Sequence, residues 1–230
     1  VTGNGEVPDT RSIVDQDLDP MYQDELILGF EQVINDDWAW GVKGITRSLA
    51  GAIDDMYFGT LPNGCELGDY VLANPGEEVT IWADTNCDGN ADSSYTFNSA
   101  DAGYPEAERT YHSLELTLNR AWDDVWTMNA SYVWSHSYGN SEGLVKSDNG
   151  QTDAGVTSDF DFPELMDGAY GNLPNDRRHQ LRIRGAYSVT ENLVVAANLR
   201  IESGRPKTVY GTDHPDGRPS YGATYYQVNG

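Results

Sequence analysis

Leucine, isoleucine, valine and aromatic side chains recur at alternate positions in six stretches of this chain, with polar residues between them. A period of two is that of a β-strand, whose successive side chains point to opposite faces. The first stretch, from about Glu25 to Ile34, puts Leu26, Leu28, Phe30 and Ile34 on one face. Glu25, Gly29 and Glu31 lie on the other, with Ile27 and Val33. The second, from about Trp38 to Ser48, separates Trp38, Trp40 and Val42 from Lys43 and Arg47. Folding this pair about Asp36 sets Ile34 opposite Trp38, Phe30 opposite Val42 and Glu25 opposite Arg47. Apolar then meets apolar and acid meets base, as cross-strand pairing favours.

Two more hairpins follow the same rule. Leu114, Leu116 and Leu118 alternate with Glu115, Thr117 and Asn119. After a turn near Trp122-Asp123-Asp124, Trp126, Met128, Ala130, Tyr132 and Trp134 alternate with Thr127, Asn129, Ser131 and Ser135. The predicted register sets Leu118 against Met128 and Leu114 against Tyr132. In the third hairpin, Leu181, Ile183, Tyr187 and Val189 meet Ile201, Leu199, Val195 and Leu193 around Thr190-Glu191-Asn192. Arg182, Arg184, Asn198, Arg200 and Glu202 take its polar face, with Arg182 directly opposite Arg200. A one-residue slip in any hairpin would exchange its two faces.

With strands of about ten residues, the hairpins are separated by loops of roughly sixty and roughly forty residues, 49–108 and 139–178; the first holds a small hairpin, with Val79 and Ile81 on one short strand and Tyr95 and Phe97 on the other, and Arg11 to Val14 and Thr224 to Val228 read as partial strands. Tight turns at one end and long polar loops at the other are the pattern of an antiparallel transmembrane β-barrel. The loops are then expected to be extracellular. Trp126 and Trp134 share a face, ~26 Å apart at about 3.3 Å per residue. A strand tilt near 40° brings that to ~20 Å of height, close to the roughly 25 Å apolar band between aromatic girdles. A soluble β-sandwich or lipocalin-like barrel would also present one apolar face, but its loops should be short at both ends.

Composition agrees with a strand-spanning chain. Of 230 residues only 38% are hydrophobic, yet 11% are aromatic. No apolar run reaches the length of about eighteen residues that a transmembrane helix needs. Val1 to Asp9 has neither the basic region nor the apolar core of a signal peptide, so a leader is expected to be already removed or the piece to be internal. The net charge of -23 disfavours nucleic-acid partners, which require basic residues against phosphates. The acids gather before residue 25 and in the loops, among them Asp15, Asp54, Asp55, Glu77, Asp159 and Asp161, and read as a solvated surface or as divalent-cation ligands.

Several segments carry a resemblance. Tyr111 to Arg120 (YHSLELTLNR), Trp126 to Tyr138 followed by Gly139, and Tyr22 to Gly29 (YQDELILG) are similar to strands of TonB-dependent outer-membrane receptors. Phe160-Asp161-Phe162-Pro163, Leu173 to His179 (LPNDRRH) and Ser203-Gly204-Arg205-Pro206 continue the likeness in order. They most resemble the Oar-like branch, over about Asp19 to Ile53 and Arg109 to Pro206. That resemblance implies a barrel of about 22 strands around an N-terminal plug, with uptake driven by an inner-membrane energy-coupling complex. No plug, coupling box or aromatic C-terminal strand is legible here. The expectation is an all-β slice of about six strands, an open curved sheet if seen alone, in the bacterial outer membrane, importing an unidentified ligand. A structural or adhesive barrel, or a secreted β-sandwich carbohydrate-binding module, are the alternatives.

Candidate chemistry is sparse. Asp84, Asn86, Asp88, Gly89, Asn90 and Asp92 match the first half of a Ca²⁺ loop, but Tyr95 stands where its bidentate Glu belongs. An Asp/Asn/Gly-rich turn explains the same residues without metal. Cys65 and Cys87 fall in one loop that would mature in an oxidising space, so a disulfide is expected; zinc would need ligands that no nearby His supplies. His112, His136, His179 and His214 are scattered, no nucleophile or phosphate loop is evident, and no enzyme is predicted. Glu25, Lys43, Arg47, Glu115, Arg182, Arg184 and Arg200 are expected to line the barrel lumen, facing a plug or an anionic ligand.

Overall fold

The computed structural model of the chain describes residues 9–147, 150–152, 157–212 and 224–225. A one-turn helix, α1 (Thr10–Ile13), is capped by the Asp9 carboxylate, which accepts from the Arg11 N–H. Then come β1 (Tyr22–Val33), β2 (Trp38–Ala50), β3 (Asp54–Thr60), β4 (Glu66–Ala73), β5 (Glu78–Ala83) and β6 (Ser93–Asn98). They are followed by β7 (Arg109–Arg120), β8 (Trp126–Gly139), β9 (Val145–Lys146), β10 (Gln151–Thr152) and β11 (Gly171–Asn172). The last are β12 (His179–Thr190), β13 (Leu193–Glu202), β14 (Tyr210–Gly211) and β15 (Thr224–Tyr225).

Six long strands make one antiparallel sheet in the order β1-β2-β7-β8-β12-β13, with β11 added beside the Gly139 end of β8. The sheet is open, and neither face of β1 is covered. Alternation decides which residues share a face, and side-chain-capped turns fix the register. At the first turn the Asn35 amide oxygen accepts from the N–H groups of Asp37 and Trp38, each at 3.0 Å. The pairs Phe30–Val42 and Glu25–Arg47 then fall as the sequence predicts.

The second hairpin departs from the prediction by two residues. Leu118 lies opposite Ala130 and Leu114 opposite Trp134. The cause is a wider turn. The Asp123 carboxylate accepts from the N–H groups of Val125 and Trp126, and Asp124 sits at φ 72°. A shift of two preserves parity, so every side chain keeps its predicted face. In the third hairpin, Leu181–Ile201, Ile183–Leu199 and Tyr187–Val195 are as expected, but Val189 does not meet Leu193. The ladder jumps between Ser188 and Thr190, leaving Val189 as a bulge that closes the two-residue Glu191-Asn192 turn.

One face of the sheet is apolar and uncovered. Leu28 is 70% exposed, Leu116 43% and Leu199 50%. At the tight-turn end Arg120 shares this face, its guanidinium 4.0 Å from the Trp126 ring centroid and 6.0 Å from that of Trp38. It also donates to Asp123 and to the Trp126 carbonyl. Stacking on aromatics and pairing with Asp123 let a cation sit beside apolar surface.

The dry core lies elsewhere, in the segments that join β2 to β7 and β8 to β12. Met56, Phe58, Val71, Val79, Ile81, Phe97, Tyr104, Phe160 and Met166 pack together there. The β3–β4 and β5–β6 hairpins supply most of this cluster; the β3–β4 hairpin had no reading in the sequence. Residues 11–14, expected as a partial strand, fall mostly in α1, and Val14 alone makes a parallel bridge to Leu72. Of the strand expected at 224–228, β15 takes Thr224–Tyr225; 226–228 and His214 lie outside the described residues.

Candidate ligand-facing surface and loop cap

The polar face of the sheet is a network. Glu25 pairs with Arg47 across β1 and β2, and the Arg47 guanidinium lies 5.4 Å from the Tyr111 ring centroid. Lys43 reaches Glu115 across β2 and β7 at 2.6 Å, a pairing that only the strand order reveals. Arg182 and Arg200 are directly opposed, as predicted. Each turns to another partner. Arg200 pairs with Glu202, Arg182 donates to Gln180 at 3.4 Å, and Arg184 donates to Asn129 at 3.0 Å. Lateral partners of this kind offset like-charge repulsion. The pairs are half exposed and each contributes only about 0–1 kcal/mol, so this face is arranged for contact rather than stability.

The two long connections form one cap. Tyr57 N–H donates to the Asp161 carbonyl at 3.0 Å, and the Tyr104 hydroxyl donates to the carbonyls of Tyr57 and Asp161. Burial and the nearby acids push the Tyr104 hydroxyl pKa up. Cys65 and Cys87 are disulfide-bonded, which ties the β3–β4 turn to the β5–β6 turn. Asp15, read as solvated surface, is instead buried and accepts from the N–H groups of Asp17 and Thr80. Asp54 is also buried, at 6% exposure. Loss of hydration, with Asp159, Asp55 and Asp161 nearby, pushes its pKa up to about 9. Asp161 is raised to about 7, chiefly by burial and then by Asp55 and Asp159, against the opposing pull of Lys146. Lys146 itself pairs with Asp159 inside the cap.

The Asp84–Asp92 segment is the β5–β6 turn. The Asp84 carboxylate accepts from the N–H groups of Asn86 and Asp88 at 3.2 Å and of Gly89 at 2.6 Å; desolvation is the largest single effect and opposes ionisation, but the backbone bonds together outweigh it and lower the pKa. Asp88 accepts from the Asn90 N–H and from the side chains of Asn86 and Asn90; Asp92 accepts from the Ser93 hydroxyl. Among the described residues, no three His, Cys, Asp or Glu side chains are grouped closely enough to hold a metal ion.

Two further arginines, Arg109 and Arg177, have no place among the lumen residues expected from the sequence but stand at the long-loop end of the polar face. Arg109 opens β7 on the polar face and donates to the Glu142 carbonyl at 2.6 Å. Arg177 precedes β12 and lies 3.6 Å from Glu202. The parity of Arg109 was available from Glu115 and Thr117; Arg177 lies outside any periodic stretch.

Comparison with known proteins agrees with this architecture. Residues 2–192 match the family described as "Outer membrane beta barrel domain". The TonB-dependent transporter Oar of Myxococcus xanthus is 30% identical over 204 residues, 86% of this chain and 17% of that protein. The chain thus spans less than a fifth of that relative's length. No solved structure matches the chain. No described helix is long and apolar enough to cross a membrane, whereas six long antiparallel strands carry an uncovered apolar face opposite a polar one. With the family match over most of its length, this makes the chain a member of the outer-membrane β-barrel family, a segment of barrel wall in the bacterial outer membrane.

Proposed function

We propose that this segment is part of the wall of a TonB-dependent transporter that binds and imports a ligand without altering it. The single observation that carries the reading is the division of one six-stranded sheet into an exposed apolar face and a polar face laced with ion pairs. The apolar face would meet lipid. Glu25, Lys43, Arg47, Glu115, Arg182, Arg184 and Arg200 would line the lumen and meet a plug domain, which the rest of the protein would supply with the remaining strands. The segments 49–108 and 139–178 would be extracellular, and an inner-membrane coupling complex would drive transport. Asp84, Asn86, Asp88, Asn90 and Asp92 are proposed as a weak Ca²⁺ loop within the cap.

The test is comparative uptake. Cells carrying the full gene, cells lacking it, and cells lacking the energy-coupling protein are grown in one medium. Depletion of medium solutes is then followed by mass spectrometry. At least one solute should accumulate only when both components are present. No such solute, together with lost surface attachment in the gene deletion, would replace transport with an adhesive barrel.

A further inference from the structure

We propose that Arg47, Arg109 and Arg177 form a recognition site for a small polyanion bearing carboxylate or phosphate groups, at the long-loop end of the polar face. The inference rests on the transporter reading and gives its ligand a chemical class. These side chains and Tyr111 line a hollow of about 360 Å³ on the polar side of the sheet. That volume is within the ~300–1,000 Å³ of small-molecule sites. The chain carries 14 basic residues against 37 acidic ones, so three guanidiniums at one hollow run against its overall charge.

Their charges are only partly met by the protein. Arg109 donates to neutral oxygens, the Glu142 carbonyl and the Gln23 side chain at 3.4 Å. The Glu142 carboxylate accepts from the N–H and hydroxyl of Ser147 and also attracts Arg109 through space. Glu202 is divided between Arg177 and Arg200. Asp176 is the carboxylate lining the hollow, and its oxygens are taken by the Ser137 N–H and the Arg178 guanidinium. Glu25 holds Arg47, which leaves the remaining donors of that planar fork available. Guanidiniums in fixed orientation suit carboxylate and phosphate oxygens, which they bind in pairs of charge-assisted hydrogen bonds.

Position favours an incoming solute over a plug side chain. Arg109 is the first residue of β7, Arg47 is near the end of β2, and Arg177 belongs to the connection entering β12. All three lie where the long connections emerge, away from the tight turns at Asp36, Asp123 and Glu191.

The site is tested on the full-length receptor in detergent, at low salt, by calorimetric titration with citrate and, separately, with pyrophosphate. Putrescine is the cationic control. At least one anion should bind, and Arg109→Gln and Arg177→Gln should each weaken it by roughly tenfold or more, the cost of one charge-assisted contact. Arg11→Gln, which removes a cation that is bonded to Asp9 and stacked on Trp82 outside the hollow, should leave it unchanged. Heat-modifiable migration on gels confirms that each variant keeps its barrel, and Arg177, outside the long strands, gives a second variant if Arg109→Gln does not fold. Failure of both anions to bind, or equal binding by all variants, overturns the proposal. Unchanged anion binding with a lowered melting temperature in the arginine variants would assign the cluster to the plug and overturn it too. Binding needs no energy source, so a receptor that binds an anion but accumulates nothing keeps the site and loses the transport reading.

Discussion

Asp54 shows how far a side chain's behaviour depends on its surroundings. In the unfolded chain it titrates near 3.8, whereas in the cap burial first, and neighbouring carboxylates second, raise it to about 9. The sign follows from linkage. The unfolded chain releases this proton above about pH 4 while the folded cap retains it, so cap stability falls as pH rises from about 4 toward 9. Asp161, raised to about 7, adds to the loss over the lower part of that range. We expect the denaturant midpoint of the cap, read by a fluorophore on it, to be higher at pH 5 than at pH 8.5. Asp54→Asn should flatten the difference; an unchanged slope would mean that Asp54 is charged in the folded cap.

The disulfide and the Asp84 turn are residue-scale features as well. Cys65 and Cys87 close a loop at a sequence separation of 22. A cross-link of that span stabilises by about 3 kcal/mol in the chain-entropy account, so Cys87→Ser should make the cap sensitive to limited proteolysis while the barrel strands stay resistant. For the proposed calcium loop, the missing bidentate ligand would place affinity at the weak end, on the order of 10⁻⁴ to 10⁻³ M. A calcium titration of the full-length protein should show one site in that range that Asp88→Ala removes. Equal titration curves for both proteins would leave a turn stabilised by its own N–H groups.

At the scale of elements, the three hairpins were legible because alternation and turn chemistry are local. Even there the second turn was read two residues too short, since the reach of the Asp123 carboxylate to Val125 and Trp126 sets the loop length. The pairing of β2 with β7 is a different matter. Nothing in either strand announces it, and a connection of more than fifty residues separates them. It brings Gly41 against Thr117, where an added Cβ would lie 2.8 Å from the Thr117 hydroxyl and 3.3 Å from the Phe30 carbonyl. Gly41→Val should therefore cost about 1–3 kcal/mol, as overpacking does, measured as urea stability of the barrel in vesicles. Gly44→Ala, with open space at its Cβ position, is the matched control.

At the scale of the molecule, two solvents act on one sheet. An uncovered Leu116 or Leu199 would be a liability in water but is at home in lipid, where closure of the sheet is also required. Leu116→Arg should reduce folding stability in lipid vesicles by about 2–4 kcal/mol if it lies near the bilayer centre, whereas Glu115→Gln, one residue away on the other face, should change little. The isolated 230-residue chain should aggregate in water, because the outer edges of β1 and β13 offer unpaired N–H and C=O groups.

Local pattern alone is enough to specify one-sided strands, the residues that share each face, the places of the tight turns and the pairing of the two cysteines. Those properties follow from the two-residue period of an extended backbone, from turn-forming side chains, and from there being only one possible pair. The strand order, the Lys43–Glu115 contact, the burial of Asp15 and Asp54, and the meeting of Arg47, Arg109 and Arg177 emerge only when the chain is folded. Each of these brings together residues tens of positions apart, and no local period records such a distance. The same is true of the cap core, where Met56 and Val79 pack with Phe160. Its strands are short, and their burial comes from two connections folding on each other rather than from a face repeated along one strand.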